Sequence, residues 1–197
     1  MVFQASFGRR NSSTSPLLLY PLGRVRMRSL STGVSQNCHS RMPAISGLEQ
    51  ARALGEELRG VKFDFAFASP LRRARETAEV ALTAAGSGVE LELDADLVER
   101  DYGKYEGKAG ESFDFAKYWD FGLNCDEDGV EAIGEMFERG ARVAERLRGL
   151  PAEATVLVVA HGGFLKALYF NLVGYEVGKT EFRSFKLKNG EVRAVEV

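Results

Sequence analysis

The chain has 197 residues, of which 45% are hydrophobic and 27% charged, enough for one sizeable α/β domain with its own core. A net charge of −2 excludes the general basic character of a nucleic-acid binder. No apolar run approaches the ~20 residues a membrane helix needs. Cys38 and Cys125 fit neither a metal-ligand spacing nor a disulfide framework, so a reducing, cytoplasmic setting is the default.

The average hides an asymmetry. Residues 1–48 hold six arginines and nine serines but no lysine, aspartate or glutamate. That composition is what an organelle transit peptide looks like, which keeps an organelle as the alternative location. Residues 1–16 lack apolar periodicity and read as a disordered or targeting-like segment. Residues 17–197 read as a single domain. Leu17-Leu18-Leu19-Tyr20 is its candidate first strand, and 21–46 reads as an atypical loop, because neither the helical nor the strand period is visible there.

From Gly47 the pattern is regular. Leu48, Ala51, Leu54 and Leu58 recur at helical spacing. Phe63 to Ala68 reads as a strand and Leu71 to Ala84 as a helix. Val89 to Leu93 alternates apolar with acidic residues, as an edge strand does. Leu97 to Gly110 is a charged, glycine-containing loop. Ser112 to Phe121 is aromatic-rich and reads as a short helix over the site. Glu131 to Leu150 is a long amphipathic helix. Thr155 to Leu172 runs from an apolar strand through His161-Gly162-Gly163 into another helix. Phe182–Leu187 and Glu191–Val197 flank Asn189-Gly190, a hairpin signal. Strands alternating with helices predict an α/β fold, three layers deep, with a mostly parallel central sheet.

Three stretches carry residues suited to chemistry. His161 ends a strand that should be buried on both faces, and helix N–H groups follow it. Open parallel sheets bind anions at such strand ends. Ser69-Pro70-Leu71-Arg72-Arg73-Ala74-Arg75 follows another strand and opens a helix. Its arginines offer planar, bidentate donors for a phosphate, although the 3.6-residue period prevents all three from facing one way. Val98-Glu99-Arg100-Asp101-Tyr102-Gly103 supplies a carboxyl that can donate a proton if its surroundings keep it protonated.

The order SPLRRARETA, ERDYGKYEG, VVAHGG, with the lead-in Gly47-Leu48-Glu49-Gln50-Ala51 and the acidic entry Gly129-Val130-Glu131, resembles the histidine phosphatase superfamily. That family includes the phosphoglycerate mutases. The resemblance spans roughly residues 47–174 and implies a phosphoglycerate mutase-like fold. It also implies phosphomonoester hydrolysis or phosphoryl transfer through a phosphohistidine. Carried over, His161 is the second, phosphoryl-binding histidine, Arg73 a phosphate arginine and Glu99 the proton donor. Gly162 adds a backbone N–H. No metal or other cofactor is implied, and the partner is a small phosphorylated metabolite.

The sequence departs from the family at one place. The family's nucleophile sits in an Arg-His-Gly run directly after the first strand, but Leu17–Tyr20 is followed by Pro21-Leu22-Gly23-Arg24. Arg24 is a candidate contributor of charge to the phosphate site. Only one other histidine exists, His39, and it lacks an adjacent arginine. Three readings stay open. One is an enzyme whose N-terminal stretch is altered as written. Another is a pseudoenzyme that binds a phosphorylated ligand or a protein partner. The third is an interaction module that shares only the family's fold.

Overall fold

A computed structural model of the chain describes residues 26–32, 45–108, 112–174, 185, 187 and 192–196. Five strands form one sheet in the order β3-β2-β4-β1-β5. They are β1 (Arg26–Thr32), β2 (Phe65–Ala68), β3 (Leu91–Leu93), β4 (Thr155–His161) and β5 (Val192–Glu196). The β1–β4, β4–β2 and β2–β3 pairs are parallel, and β5 runs antiparallel to β1.

β4 organises the sheet because Val156 to Ala160 are apolar and buried and it lies between two parallel neighbours. Its residues alternate between two cores, as the strand period requires. Val156, Val158 and Ala160 face one core and Leu157 and Val159 the other. The first core is closed by α4 (Ile133–Arg148) and α5 (Gly162–Val173), the second by α1 (Ile45–Glu57) and α2 (Arg72–Ala85). The result is the three-layer α/β/α arrangement expected from the alternating pattern.

The chain leaves this body at Asp101 and returns at Glu131. Asp101 and Glu131 share a backbone hydrogen bond of 2.9 Å, and Tyr102 and Val130 form an antiparallel bridge. The excursion, which includes the short helix α3 (Phe115–Tyr118), has its own small core of Phe113, Tyr118 and Val130. It forms a cap whose neck lies beside Glu99.

One expectation is corrected. The stretch 21–46 is not an unbroken loop, because β1 lies inside it at Arg26–Thr32, between β4 and β5. A strand paired on both sides satisfies its backbone groups whatever its side chains are. RMRSLST is therefore held as a strand by its neighbours without an apolar run of its own. Leu17–Tyr20 lies outside the described residues. So does Asn189-Gly190, although β5 follows it where the second arm of the hairpin is expected.

Candidate functional site

β2 and β4 are adjacent parallel strands, so the residues that end them meet at one edge of the sheet. Ser69 follows β2, and its N–H donates to Val159 O at 3.0 Å. His161 ends β4, and both residues are buried. The His161 Nε2 and Ser69 Oγ atoms are 2.9 Å apart. α2 starts just beyond, and Arg73 in its first turn donates its Nε–H to His161 Nδ1 at 3.2 Å.

This contact fixes the tautomer. An arginine has only donors to offer, so Nδ1 must be unprotonated. The neutral ring then carries its proton on Nε2 and donates it to Ser69. Burial, with Arg73 and Arg139 adding positive charge nearby, holds the imidazole down to about 3. The other two arginines of the motif turn outward, Arg72 to Glu76 and Arg75 to Glu79, as the helical period demands.

Glu99 lies over the first turn of α5. Its Oε1 accepts from the backbone N–H groups of Arg100 at 2.9 Å and Phe164 at 3.0 Å, and its Oε2 from Gly163 at 3.3 Å. The close approach requires glycine at 163, where a Cβ would lie 2.6 Å from Oε1. Burial raises the Glu99 carboxyl above its ordinary range, opposed by those three backbone donors and by Arg73. The sequence reading expected the N–H groups of this helix to face an anion. Those of Gly163 and Phe164 are instead directed at Glu99, one residue beyond the Gly162 expected to contribute.

Two buried arginines frame the acid, and sequence reasoning singled out neither. Arg100 is 1% exposed; it donates to Tyr118 O and Glu131 O at 2.7 Å and lies over the Trp119 ring. Arg139, on α4, forms a bidentate pair with Glu131 and donates to the carbonyls of Asp96 and Val98 at 2.8 and 2.7 Å. It thereby ties the segment leading into Glu99 to α4. The available signal was its position on α4, where Arg139 falls among Ile133, Met136, Gly140 and Val143 on the buried stripe.

A cavity of about 460 Å³ is lined by Glu99, Asp101, Asp126, Glu131, Glu135 and Arg139, and neither Arg73 nor His161 is in its wall. Among the described residues, no group of three His, Cys, Asp or Glu side chains is placed to hold a metal. No helix among them is long and apolar enough to cross a membrane.

The strand β1 completes the edge. It is in register with β4 so that Thr32 is the partner of His161, and Arg26 that of Thr155. Arg24 and His39 lie outside the described residues.

Fold and site together define an α/β protein with an arginine–histidine pair at the carboxyl edge of a parallel sheet and a buried carboxyl beside it. The chain belongs to the histidine phosphatase superfamily (branch 1), whose profile matches residues 45–197. It is 36% identical over 148 residues to a 2,3-bisphosphoglycerate-dependent phosphoglycerate mutase from Mesorhizobium japonicum, covering 65% of this chain and 68% of that protein. The corresponding Sinorhizobium fredii protein is 37% identical over 138 residues, 62% of this chain and 63% of that one. The match thus spans about two-thirds of the length of these curated relatives. Among solved structures, the fold resembles a mutant phosphoserine phosphatase from Entamoeba histolytica in complex with phosphoserine. That match has a TM-score of 0.71 at 24% identity and covers 86% of this chain and 89% of that one. A mycobacterial glucosyl-3-phosphoglycerate phosphatase matches with a TM-score of 0.69 at 22% identity, over 87% and 89% of the two chains.

Proposed function

We propose that this chain binds a small phosphomonoester, with the phosphoryl oxygens between Arg73 and His161 and the ester oxygen toward Glu99. Arg73 is the charge that neutralises the phosphoryl group, and the Gly162 N–H adds a neutral donor. Glu99 is raised by burial, which suits an acid that keeps its proton for a leaving oxygen. The phosphorylated metabolites in the names of the relatives favour a ligand of that size.

In this reading the chain is a binder with little or no turnover. A single observation carries that part. The residue of β1 paired with His161 is Thr32, within Ser31-Thr32-Gly33 at the end of the first described strand, and no histidine stands there. A threonine hydroxyl there does not replace an imidazole as the nitrogen that takes the phosphoryl group.

The test is acid-labile phosphoenzyme trapping with radiolabelled phosphoserine and bisphosphoglycerate. The chain as written is expected to stay unlabelled. The Ser31→Arg/Thr32→His double variant, which rebuilds Arg-His-Gly on the existing Gly33, is expected to take label. Label on the unaltered chain that disappears in His39→Gln would overturn this reading and make the protein a working phosphotransfer enzyme.

A further inference from the structure

As folded, both ring nitrogens of His161 are engaged. Nδ1 accepts from Arg73 Nε, and Nε2 faces Ser69 Oγ. Neither presents an N–H to an incoming phosphoryl oxygen. Arg73 for its part spends its Nε–H on the imidazole and not on an anion. The bond therefore competes with the donor role proposed for His161, and it engages one of the five N–H donors of Arg73.

One added proton resolves the competition; a neutral Nδ1–H tautomer, with Ser69 Oγ–H donating to Nε2, is the zero-uptake alternative that titration with sulfate distinguishes. If Nδ1 is protonated, the ring becomes a donor there, and a donor cannot face Arg73 Nε–H. The guanidinium must turn away, which frees its Nε–H at the moment Nδ1–H appears. Two donors and one added positive charge then face the same anion. We propose that binding of a dianionic phosphoryl group at this site takes up one proton from solvent onto His161 Nδ1, breaking the Arg73–His161 hydrogen bond. The ligand is thus recognised as a dianion plus a proton, or equivalently as a monoanion that brings the proton with it.

The surroundings agree with this coupling. Among the described residues, the charged and titratable groups about this site include Arg73 from α2, Arg139 from α4, and Glu99 with Tyr102 laid over the start of α5. Two nearby cations and burial keep the imidazole neutral while the site holds no anion. An anion between Arg73 and His161 reverses the sign of the nearest charge and favours the imidazolium. By linkage, a proton that promotes anion binding is itself bound more tightly once the anion is present.

This inference rests on the phosphoryl-binding reading above, and sulfate separates the two. Sulfate is tetrahedral and dianionic and has no proton to donate near neutral pH. Calorimetric titration with sulfate at pH 7 in buffers of different ionisation enthalpy reads proton uptake directly. About one proton per bound sulfate is expected, with affinity falling roughly ten-fold per pH unit wherever the free ring is neutral and the bound ring protonated. The uptake should persist in Glu99→Gln and vanish in His161→Gln. Sulfate binding with no buffer dependence would overturn the proton coupling while leaving the phosphoryl site standing. Uptake retained in His161→Gln but lost in Glu99→Gln would also overturn it. Failure of sulfate, phosphate and vanadate alike to bind would overturn the phosphoryl-binding reading and the coupling with it.

Discussion

Gly163 and Glu99 are packed against each other so closely that any side chain on the first would occupy the carboxyl of the second. The Gly163 N–H donates to Oε2 at 3.3 Å, while a Cβ on Gly163 would sit 2.6 Å from Oε1. Gly163→Ala should push Glu99 off α5 and leave buried backbone donors unpaired. A loss of about 1–3 kcal/mol is expected, read as a lower urea midpoint at unchanged slope.

Arg73 should be irreplaceable by lysine. Its planar fork can hold an imidazole or a phosphoryl oxygen through fixed N–H directions, whereas an ammonium is a point charge. Arg73→Ala is expected to weaken phosphate or vanadate binding by about 10- to 100-fold, the worth of a charge-assisted hydrogen bond. Arg73→Lys should recover only a minor part of that loss. Calorimetry on the purified variants measures both.

Acid should destabilise the protein through His161. Its folded value is about 3 against 6.5 for the free side chain, so between those values the unfolded chain binds the extra proton. Stability therefore falls as pH drops below about 6.5, by at most about 1.4 kcal/mol per pH unit, and levels off below about 3. Glu99 acts in the opposite sense. Its raised folded value means that acid protonates the folded form first and relieves the burial of its charge. Removing the histidine should expose this difference. His161→Gln is expected to flatten the acid side of the urea midpoint–pH curve between pH 6.5 and about 4. An unchanged slope in the variant would contradict a buried neutral imidazole.

Arg139 should matter for stability more than any other cation of α4. It pairs with Glu131 at 2.8 Å and also holds two backbone carbonyls ahead of Glu99. Arg139→Met strands a half-buried carboxylate and unpairs both carbonyls, at a cost of about 3–5 kcal/mol. The double variant Arg139→Met/Glu131→Gln should recover part of that loss, because the orphaned charge is gone. Chemical denaturation of the two variants provides the comparison.

At the neck of the cap, Gly103 has φ of +50°, and a Cβ there would lie 2.3 Å from the Asp128 carbonyl oxygen. Both the left-handed backbone and the contact with main chain exclude alanine. Gly103→Ala is expected to cost about 2–3 kcal/mol. The loss should appear first as faster hydrogen exchange over the Tyr102–Val130 bridge, the neck itself, before global unfolding.

Much of this molecule is legible in local pattern. The α2 periodicity and the long amphipathic α4 repeat at the helical period, and the short, β-branched apolar run before His161-Gly162-Gly163 has the length and flanks of a buried strand. The motifs around Arg73 and His161 each follow a strand and open a helix at one edge of the parallel sheet, while Glu99 lies in the loop between two short 3₁₀ turns. By composition and motif order alone, the chain is an α/β protein bearing histidine-phosphatase motifs, with two histidines in all.

Tertiary structure decided the rest. RMRSLST carries no apolar run, and it is a strand because β4 and β5 supply its hydrogen bonds. Only that register sets Thr32 beside His161. Arg100 and Arg139 read as surface charges until the fold buries them among carbonyls 18 to 43 positions away. The proton position on His161 is likewise invisible in sequence, because it is dictated by an arginine 88 residues distant. Hydrogen-bond partners and burial are properties of approach in space, and the chain order records only which residues are available to make them.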